Sequence, residues 1–272
     1  MAARHAFVVP AHGHAPWLER CLRSLLAQRR SSPVLVTTST PTPQILAAAR
    51  DCGVPVEVNP LAEGIASDWN FAYDAATAEW VTLAHQDDVY EPEYVQACLE
   101  ATDRARDPLL VFTGVVEVAE DGRATANTRI KQLIAKLSFA GRAAITDGFS
   151  KQVLLGFGNP VPCSSVMLRK SRLPGFQFPS GWYSNLDWRA WLDIAEHKGA
   201  FVYVRSQLVH RTLHADAATS RYLAERSYED SRMFRELWPG PVASVLKRLY
   251  SHSRRPYVRF TPPPDQSFRD RP

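Results

Sequence analysis

Short apolar runs alternate with amphipathic stretches through the first half of the chain. The apolar runs are typical of buried strands, and we predict strands over residues 6–9, 34–36, 54–58, 80–84 and 109–118. The third run contains Pro55, which favours a short strand or one at the edge of a sheet.

Between these runs, apolar residues recur at spacings of three and four, which predicts helices with one buried face. The predicted helices span residues 18–26, 42–53, 67–78 and 92–104. Thr42 and Ser67 are the residues expected to cap the second and third of them. Strand alternating with helix predicts an α/β fold, with a mostly parallel central sheet flanked by helices.

The second half of the chain has a less regular pattern. A hairpin-like turn is expected at 120–122, a glycine-containing loop at 156–160, and an aromatic, glycine- and proline-rich surface loop at 174–183. Strands are predicted at 163–168, 200–204 and 207–213, and helices at 130–137, 188–195 and from about 217 to 237.

Composition is that of an ordinary globular protein, with 272 residues of which 45% are hydrophobic and 22% charged. No apolar stretch approaches the roughly 20 residues that span a bilayer, and the N-terminal residues show no secretory pattern. The four cysteines are scattered without paired spacing, which indicates reduced thiols. We therefore expect a cytoplasmic protein.

The net charge of +4 is unevenly distributed. Residues 242–272 carry seven basic and two acidic side chains, a net of +5, so the rest of the chain is close to neutral. We expect a basic, partly disordered C-terminal extension over 241–272. Either its charged side chains are simply exposed to solvent, or the extension contacts the anionic inner face of a membrane peripherally. No nucleic-acid-binding module accompanies it, so no nucleic-acid partner is expected.

Two adjacent carboxylates, Asp87 and Asp88, follow the predicted strand at 80–84. Carboxylates in such a place commonly hold Mg²⁺ or Mn²⁺ beside phosphate oxygens, although a turn or a helix cap also explains them. The carboxyl ends of parallel strands form the ligand-binding edge of such sheets. Residues 10–12, 37–39 and 86–88 follow three predicted strands and should therefore meet there.

With these pieces placed, the chain resembles the inverting glycosyltransferases of family 2, which have the GT-A fold. The segments that carry the resemblance are residues 8–12 with 17–28, residues 64–70, Gln86-Asp87-Asp88, residues 186–192, and Arg211-Thr212-Leu213-His214. The resemblance implies one GT-A-like catalytic domain over 1–240. Its nucleotide-binding half would be 1–118 and its acceptor-binding half 119–240.

The resemblance also implies roles for individual residues. Asp88 and His214 would hold a divalent metal, Mn²⁺ or Mg²⁺, and Asp187 would be the general base. Trp182 and Tyr183 would contact the acceptor, which would be a glycan, a lipid-linked molecule or a small molecule with a hydroxyl group. Contacts to the nucleotide-sugar donor are expected from Pro10, His12, Thr38, Asp68, Asp87 and Arg211.

Each of these residues also has a plainer interpretation. Asp187 precedes an amphipathic helix and is a candidate N-cap, His214 is a candidate structural histidine, and Arg211 a candidate for a surface ion pair.

Two positions depart from the family pattern. Residues 37–40 read Thr-Thr-Ser-Thr where members usually have an Asp pair that helps to hold the base, which leaves the donor base open. Leu186 stands where members usually have a Glu before Asp187. These departures favour one alternative, a catalytically degenerate member that binds a nucleotide or glycan. A nucleotidyltransferase is a second alternative, but the glycine-rich phosphate loop with a lysine is missing after the first strand.

Overall fold

A computed structural model describes residues 3–119, 129–214 and 223–251. Its nine strands form one sheet. In chain order they are β1 (His5–Pro10), β2 (Val34–Thr38), β3 (Val56–Val58), β4 (Trp80–Leu83), β5 (Val89–Tyr90), β6 (Pro108–Ala119), β7 (Ala144–Ile145), β8 (Val166–Arg169) and β9 (Ala200–Leu213).

The α-helices pack on both faces of this sheet. They are α1 (Leu18–Leu26), α2 (Pro43–Asp51), α3 (Ile65–Ala75), α4 (Tyr94–Arg104), α5 (Arg129–Phe139), α6 (Gly148–Gly156), α7 (Leu186–Ala195), α8 (Leu223–Leu237) and α9 (Gly240–Ser251). Short 3₁₀ helices cover Cys163–Ser165 and Lys170–Arg172.

Alternation along β1 shows how the two cores form. Phe7 and Val9 face one core, which also contains the buried sides of α1, α2 and α4, while Val8 faces the other, which contains α3, α6 and α7. Successive strand residues point to opposite faces, so a run buried at nearly every position requires helices on both sides. The predicted α/β architecture is confirmed.

The strand order is β3-β2-β1-β4-β8-β6-β9-β5, and β7 pairs with β9. β1 to β4 are parallel, and so are β6 and β9. β8 runs antiparallel between β4 and β6, and β5 and β7 are antiparallel to β9. The third strand begins directly after Pro55, is three residues long and lies at the sheet edge, as predicted.

Several predicted boundaries are wrong. The strands expected at 200–204 and 207–213 form one strand, β9, whose register against β6 shifts around Gly114. A Cβ at Gly114 would lie 3.1 Å from the carbonyl oxygen of Ser206, which is tighter than an ordinary contact, so glycine favours this close approach of the two strands. The third helix begins at Ile65 after Gly64, whose φ is 93°, and ends at Ala75, so Ser67 is not its cap.

The sequence analysis missed two helices. In α6 the side chain of Asp147 accepts the amide hydrogen of Ser150, which is an N-cap that the sequence contains. In α9, Ala243 and Tyr250 are buried, so the first third of the predicted extension is a packed helix. The predicted turn at 120–122, the start of the helix expected near 217, and the tail beyond Ser251 lie outside the described residues.

All four cysteines are free thiols. Within the described ranges, no helix is both long and apolar enough to cross a bilayer.

Candidate active site

A cavity of about 450 Å³ lies where β1, β4 and β9 end. Its lining includes residues of the segments 10–14, 85–88 and 211–214. The first turns of α3 and α7 and the loop before α7 also contribute to it. The segments after β1 and β4 therefore converge, since the backbone N–H of His12 donates to Oε1 of Gln86 across 2.9 Å.

Asp87 and Asp88 both line this cavity, together with His85. One donor atom from each of these three residues lies within 4.8 Å of the other two. Oδ1 of Asp88 accepts the backbone N–H of Thr212 at 3.2 Å. Oδ2 of Asp88 and Nε2 of His85 are buried and make no hydrogen bond of ordinary geometry among the described residues, although the hydroxyl of Ser164 is close enough to lower the pKa of Asp88. Such atoms are costly to bury unless a ligand satisfies them, and two carboxylates with an imidazole suit a divalent cation.

The two carboxyl groups have different environments. Burial, with the negative charge of Asp87, raises the pKa of Asp88 to about 7. Burial alone would also raise the pKa of Asp87, but the hydrogen bond from His214 and the nearby histidines bring it below its ordinary value. Burial lowers the pKa of His85 to about 4, so its ring is neutral near pH 7.

His214 contacts Asp87 and lies outside the group of three donors. Its Nε2 is 2.8 Å from Oδ2 of Asp87, and its ring packs on Trp17 with the centroids 4.0 Å apart. His214 is thus the partner of one carboxylate of the pair, and its role as a metal ligand stays a prediction.

The positively charged side chain of Arg211 also lines the cavity. Its Nη1 lies 3.3 Å from Oε1 of Glu117, a side chain that is 2% exposed. The Arg211 side chain is 21% exposed, so the interpretation as a surface ion pair does not describe it. A partly buried guanidinium at the mouth of a cavity is well suited to phosphate oxygens.

Asp68, in the first turn of α3, also lines the cavity. Its two oxygens accept hydrogen bonds of 3.0 Å from Asn59 and from Ser39. Burial opposes ionisation of Asp68, but these hydrogen bonds and that of His12 hold its pKa below the ordinary value. Nδ1 of His12 lies 3.7 Å from Oδ2 of Asp68, and both residues line the cavity.

Asp187 is in the first turn of α7 and also lines the cavity. The N-cap position of α7 is Asn185, so the alternative of Asp187 as an N-cap is wrong. Oδ1 of Asp187 accepts the backbone N–H of Trp188, and Oδ2 accepts a hydrogen bond of 2.8 Å from the side-chain amide of Asn159. These bonds orient the carboxylate at the cavity wall.

The loop before α7 is attached to α8. The carboxylate of Glu229 accepts the backbone N–H groups of Tyr183, Ser184 and Asn185 at 2.6 to 3.0 Å. Tyr183 is 52% exposed and lines the cavity. Trp182 is 5% exposed and packs beneath the guanidinium of Arg232.

Most of the predicted site residues therefore meet in one cavity. Its described lining includes Pro10, His12, Asp68, Asp87, Asp88, Tyr183, Asp187, Arg211 and His214. Thr38 and Trp182 are not part of that lining: Thr38 is buried and accepts the backbone N–H of Thr40, and Trp182 belongs to the core. The structure adds His85, Asn159, Arg226 and Tyr250, which sequence reasoning missed.

Comparison with known proteins identifies the family. The model of glycosyl transferase family 2 matches residues 6–172. The chain belongs to this family. A comparison with curated protein sequences finds no significant match.

Solved structures of GT-A glycosyltransferases share the fold at low sequence identity. The mannosyltransferase PcManGT from Pyrobaculum calidifontis, in complex with GDP-Man and Mn²⁺, superposes with a TM-score of 0.64 at 15% identity, over 96% of this chain and 73% of that one. TarS 1–349 from S. aureus, in complex with UDP-GlcNAc, gives 0.62 at 15% identity, over 94% and 74%. Glucosyl-3-phosphoglycerate synthase from Mycobacterium tuberculosis, with Mn²⁺, UDP and phosphoglyceric acid, gives 0.56 at 16% identity, over 85% and 78%.

Proposed function

We propose that this chain transfers a sugar from a nucleoside diphosphate sugar to a hydroxyl group of an acceptor, with inversion at the anomeric carbon and assistance from a divalent cation. The observation that carries the proposal is that Asp87, Asp88, Arg211 and Asp187 line one cavity at the carboxyl ends of the strands. The metal-ligand candidates and the base candidate are thus within reach of one substrate.

The donor would lie along the wall that contains Asp88. Asp88, with Asp87 beside it, would hold Mn²⁺ or Mg²⁺, and the cation would offset the charge that develops on the departing diphosphate. Arg211 would bind phosphate oxygens, and His12, Pro10 and Asp68 would contact the nucleoside. The structures with GDP-Man and Mn²⁺ and with UDP-GlcNAc support a donor of this class.

Asp187 would take the proton from the acceptor hydroxyl as its oxygen attacks the anomeric carbon. A positioned base of this kind contributes about 10²–10⁴-fold. Attack from the side opposite the leaving diphosphate inverts the anomeric centre. Tyr183, exposed at the rim near Asp187, is the acceptor contact that the structure supports better than the buried Trp182.

The catalytic unit would be a single domain over 1–240, divided into a nucleotide-binding half (1–118) and an acceptor-binding half (119–240). Because Tyr250 of α9 also lines the cavity, we extend the acceptor half through that helix. We retain a cytoplasmic location, with peripheral membrane contact through the basic tail.

The experiment is an assay of nucleoside diphosphate release from UDP-, GDP- and dTDP-sugars with Mn²⁺ and candidate hydroxyl acceptors, followed by NMR of the product anomer. Release that depends on acceptor, with a product of inverted configuration, supports the proposal. Retained configuration would contradict it.

A second candidate is a member that binds a sugar nucleotide without turnover. Leu186, which occupies the usual Glu position and is buried in the core, is the observation that favours it. Donor binding without any release of nucleoside diphosphate, across the donors and acceptors tested, would favour this candidate over the transferase.

A further inference from the structure

His85 supplies a nitrogen donor where the carboxylate pair faces the cavity. Its Nδ1 lies 4.0 Å from Oδ2 of Asp88, and one donor atom each from His85, Asp87 and Asp88 falls within a 4.8 Å group. Asp88 is 2% exposed. Its Oδ2 and Nε2 of His85 are buried and make no hydrogen bond of ordinary geometry in the described part of the chain.

The spacing of these three ligand atoms is somewhat wider than a shared ion requires. Two ligand atoms that are each about 2.1 Å from a cation lie about 4.2 Å apart when they are on opposite sides of it and about 3.0 Å apart when they are adjacent. The ligand atoms of His85, Asp87 and Asp88 lie within 4.8 Å of one another, so they have to close by about 1–2 Å to bind one ion.

The surroundings hold the imidazole in this place. The His85 ring packs on Trp69 with the centroids 5.3 Å apart. The backbone carbonyl of His85 accepts a hydrogen bond of 3.2 Å from the thiol of Cys21. Another histidine of the cavity lining, His214, has its Nε2 on Asp87. The ring of His85 is thus positioned at the pair, whereas His214 acts on one of its members.

We propose that His85 binds the divalent cation directly through a ring nitrogen, and that the site consequently prefers a first-row transition metal ion to Mg²⁺. This inference rests on the proposed function, since it assigns a third ligand to the same cation. Mg²⁺ is bound almost entirely by oxygen ligands, whereas imidazole suits transition metals, whose affinities rise from Mn²⁺ to Co²⁺ and Ni²⁺. Co²⁺ should accordingly bind more tightly than Mn²⁺, and Mn²⁺ more tightly than Mg²⁺.

A neutral third ligand also affects the net charge that the diphosphate of the sugar nucleotide encounters. Two carboxylates and one dication sum to zero, whereas a third carboxylate would leave the group at −1. Because Coulomb energies are large in a partly buried site, an added carboxylate would repel the diphosphate. An imidazole completes the ligand set without that repulsion.

The test is Mn²⁺ electron spin echo spectroscopy on the full chain, which detects coupling to a ligating ¹⁴N nucleus, together with calorimetric titration of Co²⁺ and Mg²⁺. In His85→Gln the nitrogen coupling should disappear, and the affinity for Co²⁺ should fall about tenfold or more, with a smaller change for Mg²⁺. The matched control is His210→Gln, because His210 pairs with Glu91 outside the cavity lining. It should keep the nitrogen coupling.

Three further variants separate the outcomes. The assignment of His85 is overturned if the nitrogen coupling persists in His85→Gln, or if it is lost in His214→Gln instead. This holds even if Asp88→Asn abolishes Mn²⁺ binding. Undiminished Mn²⁺ binding by Asp88→Asn would instead contradict the metal site of the proposed function. His85→Asp gives an all-carboxylate set and should shift the preference toward Mg²⁺. An unchanged ratio of Mg²⁺ to Mn²⁺ affinity in this variant also overturns the inference.

Discussion

The side-chain amide of Asn159 donates a hydrogen bond of 2.8 Å to Oδ2 of Asp187. Oδ1 of Asn159 at the same time accepts the backbone N–H of Val161 at 3.1 Å, which fixes the orientation of the amide. Asp187 is thus held from one side by the loop after α6 and from the other by its own helix. The candidate base is oriented before any acceptor binds.

Replacing Asp187 by Asn should lower turnover about 10²–10⁴-fold while donor affinity stays close to that of the parent. The amide keeps the size of the side chain but accepts no proton. Steady-state kinetics together with donor titration measure both quantities. Asp193→Asn is the matched control, because Asp193 is on the same helix and pairs with Arg189. If Asp187→Asn and the parent turn over equally fast, the base is another residue.

Replacing Asn159 by Asp should shift the acid limb of the turnover profile to higher pH. The new carboxylate can still accept the N–H of Val161, but it places a second negative charge beside Asp187. Two carboxyl groups this close cannot both ionise easily, so the pKa of one of them rises. The pH dependence of kcat measures the shift. An unchanged profile would mean that Asn159 does not control the protonation of the catalytic base.

The raised pKa of Asp88 predicts that, in the absence of metal, this residue makes the free energy of unfolding depend on pH. The folded-state pKa is about 7, above the roughly 3.9 expected for an unfolded chain. The stability that Asp88 contributes is therefore fully present below about pH 4 and is lost as the pH rises through about 7. In the absence of metal, Asp88→Asn should be more stable than the parent at pH 8, on the order of a few kcal/mol, and the difference should vanish near pH 4.

Chemical denaturation with a chelator present measures this difference. Added Mn²⁺ should raise the free energy of unfolding of the parent, because a ligand that binds only the folded state stabilises it. It should leave Asp88→Asn unchanged. A variant that is less stable than the parent at every pH would show that the buried carboxylate has a partner that compensates for its burial.

Deleting residues 254–272 should weaken binding to anionic vesicles, because it removes a net charge of +3. At about 1 kcal/mol per basic residue near the surface, the loss should exceed tenfold in partitioning. The matched control is deletion of 264–272, which removes two Arg and two Asp and no net charge. Equal co-sedimentation of the long deletion and the parent would discard the membrane contact.

The first half of the fold was predictable because the residue pattern within each segment indicates its secondary structure. β1, β2 and β4 are short, largely apolar runs, and α1, α2 and α4 have apolar residues at helical spacing. The rule that ligands bind at the carboxyl ends of such strands then located the cavity. α9 begins within the run Pro239-Gly240-Pro241, which does not predict a helix, and it packs through tertiary contacts such as that of Tyr250 with Trp188.

The site was only partly predictable, because several of its contacts join residues far apart in the chain. The spacing of residues along the sequence does not reveal that His214 lies on Asp87 or that Asn159 lies on Asp187. The role proposed for His85 was not predicted from the sequence. A signal was present, since His85 precedes the acidic pair by two residues and imidazole is a common ligand of transition metals.

Calorimetric titration of nucleoside diphosphates, UDP and GDP first, into the parent and into Asp88→Ala, with and without Mn²⁺, measures whether Asp88 holds a cation that binds the diphosphate. The parent should bind one of these nucleotides tightly only when Mn²⁺ is present, and Asp88→Ala should lose this dependence. Binding of equal affinity with and without Mn²⁺, or unchanged binding by Asp88→Ala, would contradict this role of Asp88.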